Sequence, residues 1–301
     1  MSAMQETPTQ LQDERASSLA ADLSLLGVAA IWGFTFPAMQ LGLRDLSTLT
    51  LMTLRFTLAA LAMLLIFRRR ALRFSRTGLG YSMLMGLLLA AAQTLQVIGL
   101  NYTTASKSAF ITALYVVLIP ILVVAVERVR PRASSIAGVV LAIIGLYLIT
   151  NPSGGINKGD LLTILCSIVF SFYILAAEVL SPRFDPVPFT FGQIVTTALV
   201  SAVLLGLTRD YKFVITTWSI ITIISTGLFA TVLCYTVQMW AQRATSATHT
   251  VIILAAEPAC AMLFVWIIQH KVLDTTPLIG GGFILAAILV SQLGAHRGVE
   301  R

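Results

Sequence analysis

The sequence predicts an all-α integral membrane protein, ten transmembrane helices arranged as two inverted five-helix repeats around a central cavity. Three observations predict it. First, the 301 residues are 57% hydrophobic and only 11% charged, against about 25% charged in soluble domains, and the mean hydropathy is +0.89. Second, ten apolar segments approach the roughly 20-residue length that a bilayer core requires. They fall near 22–43, 47–67, 79–100, 107–126, 133–150, 160–180, 187–207, 217–240, 248–269 and 276–294. Third, the chain repeats itself. An offset of 138 carries Trp32-Gly-Phe-Thr35 onto Phe170-Ser-Phe-Tyr173, and Leu49–Phe56 onto Val187–Ile194. An offset of 142 carries Thr103-Thr-Ala-Ser106 onto Thr245-Ser-Ala-Thr248, and Gly138 onto Gly280. Five spans per copy is an odd number, so the second copy must cross in the opposite sense. Inverted repeats enclose a midplane site and work by alternating access, which points to a transporter.

Residues 1–21 are polar and lack the apolar run and cleavage site of a secretory signal. They read as a disordered cytoplasmic tail ahead of a retained first span. Residues 22–150 form the first repeat, the Pro- and Gly-punctuated stretch 151–159 a linker, 160–294 the second repeat and 295–301 a C-terminal tail. The spans lack period-2 alternation, which argues against an outer-membrane barrel. Gly138, Ala142 and Gly145 in the fifth span, with Gly280, Gly281 and Gly282 in the tenth, suit close helix packing. Pro37, Pro120 and Pro258 lie within spans, where each frees a carbonyl and can kink the helix.

The net charge of +7 does not indicate nucleic-acid binding, because the basic residues segregate by loop. Thirteen lie on the side of the N-terminus and six on the other, with Arg55 left inside a span. The positive-inside rule then puts both termini on the cytoplasmic side of an inner (plasma) membrane. Arg68, Arg69, Arg70, Arg73 and Arg76 chiefly set this topology and also meet anionic headgroups. Cys166, Cys234 and Cys260 fall inside spans, so no disulfide framework is expected. There is no P-loop, zinc helix or nucleophile elbow, and the three histidines are scattered. Neither an enzyme nor a cofactor is expected, and a monomer suffices.

Polar residues at helical spacing mark the candidate site. Gln93 and Gln96 share a face of the third span; their counterparts Tyr235 and Gln238 extend with Thr231 and Gln242 into a stripe. Ser108, Thr112 and Tyr115 repeat the pattern, with counterparts Thr250, Leu254 and Glu257. The sixth span offers Ser167, Ser171 and Tyr173, and the first Trp32, Thr35 and Gln40. A polar stripe in lipid must face protein or water. Any one residue could be interhelical glue, but matched stripes on several spans favour a shared solvated cavity. Arg55 is the costliest residue to bury and needs a carbonyl cage, an anion or water; it either meets a substrate carboxylate or is structural. Glu257 is a candidate to couple proton movement, to accept from a substrate amino group or to bond a neighbouring helix. Lys107 and His249 occupy equivalent starts of the fourth and ninth spans and mark an aqueous vestibule or interface.

Trp32-Gly-Phe-Thr-Phe36, Leu54-Arg55-Phe56, Thr103 through Pro120, and Thr245-Ser-Ala-Thr-His249 through Glu257-Pro258 together resemble the bacterial drug/metabolite transporter superfamily, EamA type, over residues 22–294. The resemblance implies a basket of two inverted five-helix units. Its cavity would be lined by the first, third, fourth, sixth, eighth and ninth helices. That selects Trp32, Gln93, Gln96, Tyr115, Ser171, Tyr173, Tyr235 and Gln238 as substrate-binding residues, with Glu257 beside them. Arg55 shifts toward a structural or gating role, and His249 and Lys107 join Glu257 and Arg55 as coupling or gate candidates. The chain is also similar to amino-acid exporters of the aromatic type, so export or exchange of a small metabolite, an amino acid, is expected. A multidrug exporter of lipophilic cations and a non-transporting receptor or sensor are the alternatives. Beyond the substrate and membrane lipids, no partner is implied. His249 and Gln269-His-Lys271 depart from the small and Gly-Glu residues common in that family.

Overall fold

The computed structural model describes residues 8–127, 133–150, 156–243, 245–270 and 275–296. Among them every regular element is helical, and an isolated bridge from Leu46 to Phe213 joins two loops. The first half contains α1 (Pro8–Gly42), α2 (Thr48–Phe67), α3 (Arg76–Leu100), α4 (Ala105–Thr112), α5 (Tyr115–Glu127) and α6 (Ala133–Thr150). The second contains α7 (Lys158–Leu180), α8 (Pro186–Thr208), α9 (Thr217–Ile224), α10 (Cys234–Ala241), α11 (Ala247–Leu254), α12 (Glu257–Gln269) and α13 (Thr275–His296). A π-helical segment, Ser225–Leu233, fuses α9 and α10 into one rod. Among the described residues eight rods are long and apolar enough to cross a membrane: α1 from Leu19, α2, α3, α4 with α5, α7, α8, α9 through α10, and α11 with α12. The apolar helices α6 and α13 take the fifth place in each half and pack against each other.

The packing is symmetric under exchange of the halves. Helix α2 packs on α8 and α6 on α13, each pair its own mirror. The contact of α3 with α7 is matched by α1 with α9 and α10, that of α3 with α8 by α2 with the π segment, and that of α5 with α7 by α12 with α1. A pseudo-two-fold therefore relates the repeats. Counted with α6 as a fifth pass, the first half has an odd number and the second runs in the opposite sense.

The symmetry reaches the helix caps. Ser47 and Asp185 accept from the backbone N–H groups of Thr50 and Val187 to cap α2 and α8. Thr104 and Ser246 likewise accept from those of Lys107 and His249 to cap α4 and α11. Each cap contributes about 1 kcal/mol.

One expectation changes. Residues 8–21 continue α1 as helix instead of forming a disordered tail. The stretch is rich in Gln, Glu, Arg, Ala and Leu, good helix formers, and extending an anchored helix avoids the nucleation cost. The fifth and tenth spans do pack closely, α6 against α13, with Gly138, Gly145, Gly280 and Gly281 buried, and glycines elsewhere also sit at tight crossings. A Cβ on Gly33 would sit 2.6 Å from the Cys260 Cβ, and one on Gly86 2.6 Å from that of Thr196, whereas Gly282 has nothing within 4 Å. Residues 1–7, 151–155, 271–274 and 297–301, which include most of the expected linker and the ends of both tails, lie outside the described residues.

Candidate functional site

Two of the membrane-length rods are broken at matching places. The rod of α4 and α5 breaks at Ala113 and Leu114, and that of α11 and α12 at Ala255 and Ala256. Three-residue hydrogen bonds (Leu114 N to Ile111 O, Ala256 N to Ile253 O) tighten each break. At the second, Pro258 has no N–H to offer the Leu254 carbonyl.

The second half-helices begin at Tyr115 and Glu257, 142 residues apart, and the Tyr115 hydroxyl donates to Glu257 Oε2 at 3.0 Å. Gln93 Nε2 donates to the Tyr235 hydroxyl at 2.8 Å, also across 142 residues. In each bond a residue touches its own repeat counterpart. Such contacts are possible only beside the pseudo-two-fold, so both mark the centre of the molecule.

Around them lies a cavity whose wall is built mostly of repeat pairs. Trp32 and Phe170, Phe36 and Ile174, Gln93 and Tyr235, Gln96 and Gln238, Thr112 and Leu254, and Tyr115 and Glu257 all line it. Thr35, Met39 and Arg55 line it without their counterparts. Within these walls only about 30 Å³ admits the centre of a water molecule. That holds two or three waters at roughly 10–15 Å³ each, so the cavity is closed down around its polar groups.

Arg55 supplies the cavity's cation and is 2% exposed. Its Nη1 donates to Gln93 Oε1 at 3.1 Å and its Nη2 to Thr231 Oγ1 at 3.2 Å, while its Nε has no partner. The guanidinium carbon lies 4.9 Å from the centre of the Phe56 ring. No acid neutralises it among the described ion pairs. Its counterpart Gln193 instead accepts from the Tyr173 hydroxyl at 2.7 Å, away from the cavity. Arg55 therefore gives the first repeat's side of the wall a cation that the second repeat's side lacks, while Glu257 gives the second a carboxyl that the first lacks.

Of the residues nominated from sequence, Trp32, Gln93, Gln96, Tyr115, Tyr235, Gln238, Glu257 and Arg55 come together on the cavity. Ser171 and Tyr173 do not. Ser171 bonds the Ser167 carbonyl of its own helix, and Tyr173 is spent on Gln193. Their helix turns Phe170 and Ile174 inward instead, since residues one turn apart share a face and intervening ones do not. The offset that carries Trp32 and Phe36 onto Phe170 and Ile174 was the available signal, and a search confined to polar groups passes over it. Thr231 and Gln242 sit off the cavity. Thr231 bonds the Thr226 carbonyl through the π segment, and Gln242 donates to the Ile174 carbonyl.

Lys107 does not line a wet vestibule. It is buried, with Nζ 2.6 Å from Asp160 Oδ2, and Asp160 also accepts from the Thr103 hydroxyl at 2.8 Å and the Asn157 N–H at 2.9 Å. His249 Nε2 lies 2.9 Å from Asp22 Oδ1 in a half-exposed pair. Neither basic residue reaches the cavity. No cluster of three or more His, Cys, Asp or Glu able to hold a metal occurs among the described residues.

Two inverted repeats, broken membrane-crossing helices and a polar hollow on the axis between them define a multi-pass membrane transporter. The EamA-like transporter family matches the chain twice, over residues 19–151 and 157–292, and the chain belongs to that family. An uncharacterized transporter of Archaeoglobus fulgidus is 32% identical over 284 residues, spanning 93% of this chain and 88% of its own. The uncharacterized transporter YoaV of Bacillus subtilis is 22% identical, spanning 91% and 97%. A protein crystal structure with 16% sequence identity superposes with a TM-score of 0.73 over 91% of this chain and 98% of its own, a likeness of fold.

Proposed function

We propose that the chain carries small zwitterionic metabolites, α-amino acids, out of the cell or in exchange, by alternating access through this cavity. The observation that carries the reading is a cation and a carboxyl group, Arg55 and Glu257, on one aromatic-walled cavity and not paired with each other. A guanidinium matches a carboxylate in a two-bond fork. The neutral partners of Arg55, Gln93 and Thr231, are ones that a carboxylate can displace. Glu257 has one carboxyl oxygen engaged by Tyr115 and suits the substrate ammonium. Trp32, Phe36, Phe170 and Tyr235 offer ring surface to an apolar side chain. Glu257 takes either the ammonium or a proton, so the two compete and proton entry can drive export. Both termini lie in the cytoplasm on this reading, supported by the excess of basic residues in the loops on their side.

A lipophilic-cation exporter would use Glu257 as well, but Arg55 repels such a cargo from the same wall. Purified protein in liposomes, assayed with labelled amino acids and with a cationic dye, separates the readings. Saturable amino-acid flux that unlabelled amino acid competes away supports the proposal. Dye efflux alone overturns it, and binding without flux favours a receptor. Arg55→Gln removes a charge-assisted contact of about 1.5–3 kcal/mol, so KM for the amino acid should rise roughly 10- to 150-fold.

A further inference from the structure

We propose that Lys107–Asp160 and His249–Asp22 are two copies of one latch, at opposite membrane faces, and that transport opens them in turn. Lys107 and His249 are counterparts at the offset of 142, and Asp22 and Asp160 at the offset of 138. Each basic residue stands just inside the first turn of a short half-helix, α4 or α11, capped by Thr104 or Ser246. Each acid stands on the helix that leads a repeat, α1 or α7. Lys107 belongs to the first repeat and Asp160 to the second; His249 belongs to the second and Asp22 to the first. Both pairs therefore bond one repeat to the other, and a rocking motion between repeats must part at least one of them.

The two pairs sit on different faces by count of crossings. Helix α1 enters from the N-terminal face and α11 starts after eight passes, so Asp22 and His249 share that face. Helix α4 starts after three passes and α7 after five, which puts Lys107 and Asp160 on the opposite one. Both pairs are closed here, at 2.6 and 2.9 Å, and the cavity between them has room for only a few waters. Two closed pairs and a narrow middle describe a state in which neither latch has opened. The inference rests on alternating access through this cavity, and not on which solute is carried.

The test reads access to the cavity from each side. In full-length protein with Cys166, Cys234 and Cys260 replaced by alanine, L254C places one thiol in the cavity wall. Its reaction with a membrane-impermeant maleimide is timed in right-side-out and inside-out vesicles. Asp160→Asn should speed labelling roughly tenfold, the shift that 1.4 kcal/mol produces, only from the face opposite the N-terminus. Asp22→Asn should do so only from the N-terminal face. Exchanging charges, Lys107→Asp together with Asp160→Lys, should restore slow labelling, which a general loss of folding would not. No change in either variant, or an equal rise from both faces, overturns the latch. The assay contains no transported solute, so absent amino-acid flux in the parent protein would remove the substrate proposal and leave this result intact.

Discussion

Arg55 shows how much of a buried charge neutral groups can satisfy without an acid, two of its nitrogens being bonded and Nε left over. Its neighbours Gln93 and Thr231 are neutral acceptors, and Gln93 passes its amide hydrogen on to Tyr235. Gln93→Leu would leave Nη1 and the Tyr235 hydroxyl each short of a partner, at about 1–3 kcal/mol per group. A clear fall in detergent-solubilised thermal stability should follow, and an unchanged Tm would show that water replaces the amide. Asp185, in the loop before α8, behaves differently. Burial pushes its carboxyl up, but the hydrogen bonds from Arg70 and the Val187 N–H, and the charges of Arg70 and Arg243, hold it below its ordinary value of 3.8. A depressed carboxylate stabilises the fold above that ordinary value and loses its contribution as the pH falls through the folded value. Asp185→Ala should therefore cost about 0.5–2 kcal/mol at neutral pH through the lost cap, and the gap to the parent should narrow in acid. The polar half of the cavity was legible at this scale, because intramembrane Gln, Arg and Glu are rare and stand out. Phe170 and Ile174 were not, since an apolar residue facing a cavity looks like one facing lipid.

At the scale of the element, close helix crossings set the geometry. A Cβ on Gly86 would meet the Gln193 carbonyl at 2.8 Å as well as the Thr196 Cβ, and backbone cannot swing aside. Gly86→Leu should destabilise by about 1–3 kcal/mol or more, whereas Gly282→Ala, into open space, should stay within about 0.5 kcal/mol. Comparing their unfolding midpoints checks both. The spans themselves were readable from hydropathy, and most of their ends agree with the helices to within a few residues. The π segment was not readable. Its extra residue per turn leaves no mark in an apolar run, yet it sets Thr231 against Arg55. The breaks at Ala113 and Ala255 were half legible, through Pro258 alone.

Over the whole molecule the two latches are unequal. Lys107 and Asp160 are 7% and 1% exposed, whereas His249 and Asp22 are 26% and 34% exposed. Partly exposed pairs are screened by water and salt, while parting a buried pair strands a charge. The N-terminal face should therefore open more readily. In the L254C reporter, labelling of the otherwise unaltered protein should be faster from the N-terminal face; the reverse preference would contradict this ordering. The inverted repeat was legible because its two offsets held over most of the chain. The latches were not, because Asp22 and Asp160 look like ordinary boundary acids until folding sets them beside Lys107 and His249.

The bond between Tyr115 and Glu257 has a consequence for symmetry. In a dimer of identical five-helix chains, a residue beside the axis would meet only itself, tyrosine against tyrosine or acid against acid. A phenol donating to a carboxyl at that point requires the two copies to differ in sequence. Divergence thus gave the centre of this molecule a chemical handedness that no pair of identical subunits can possess.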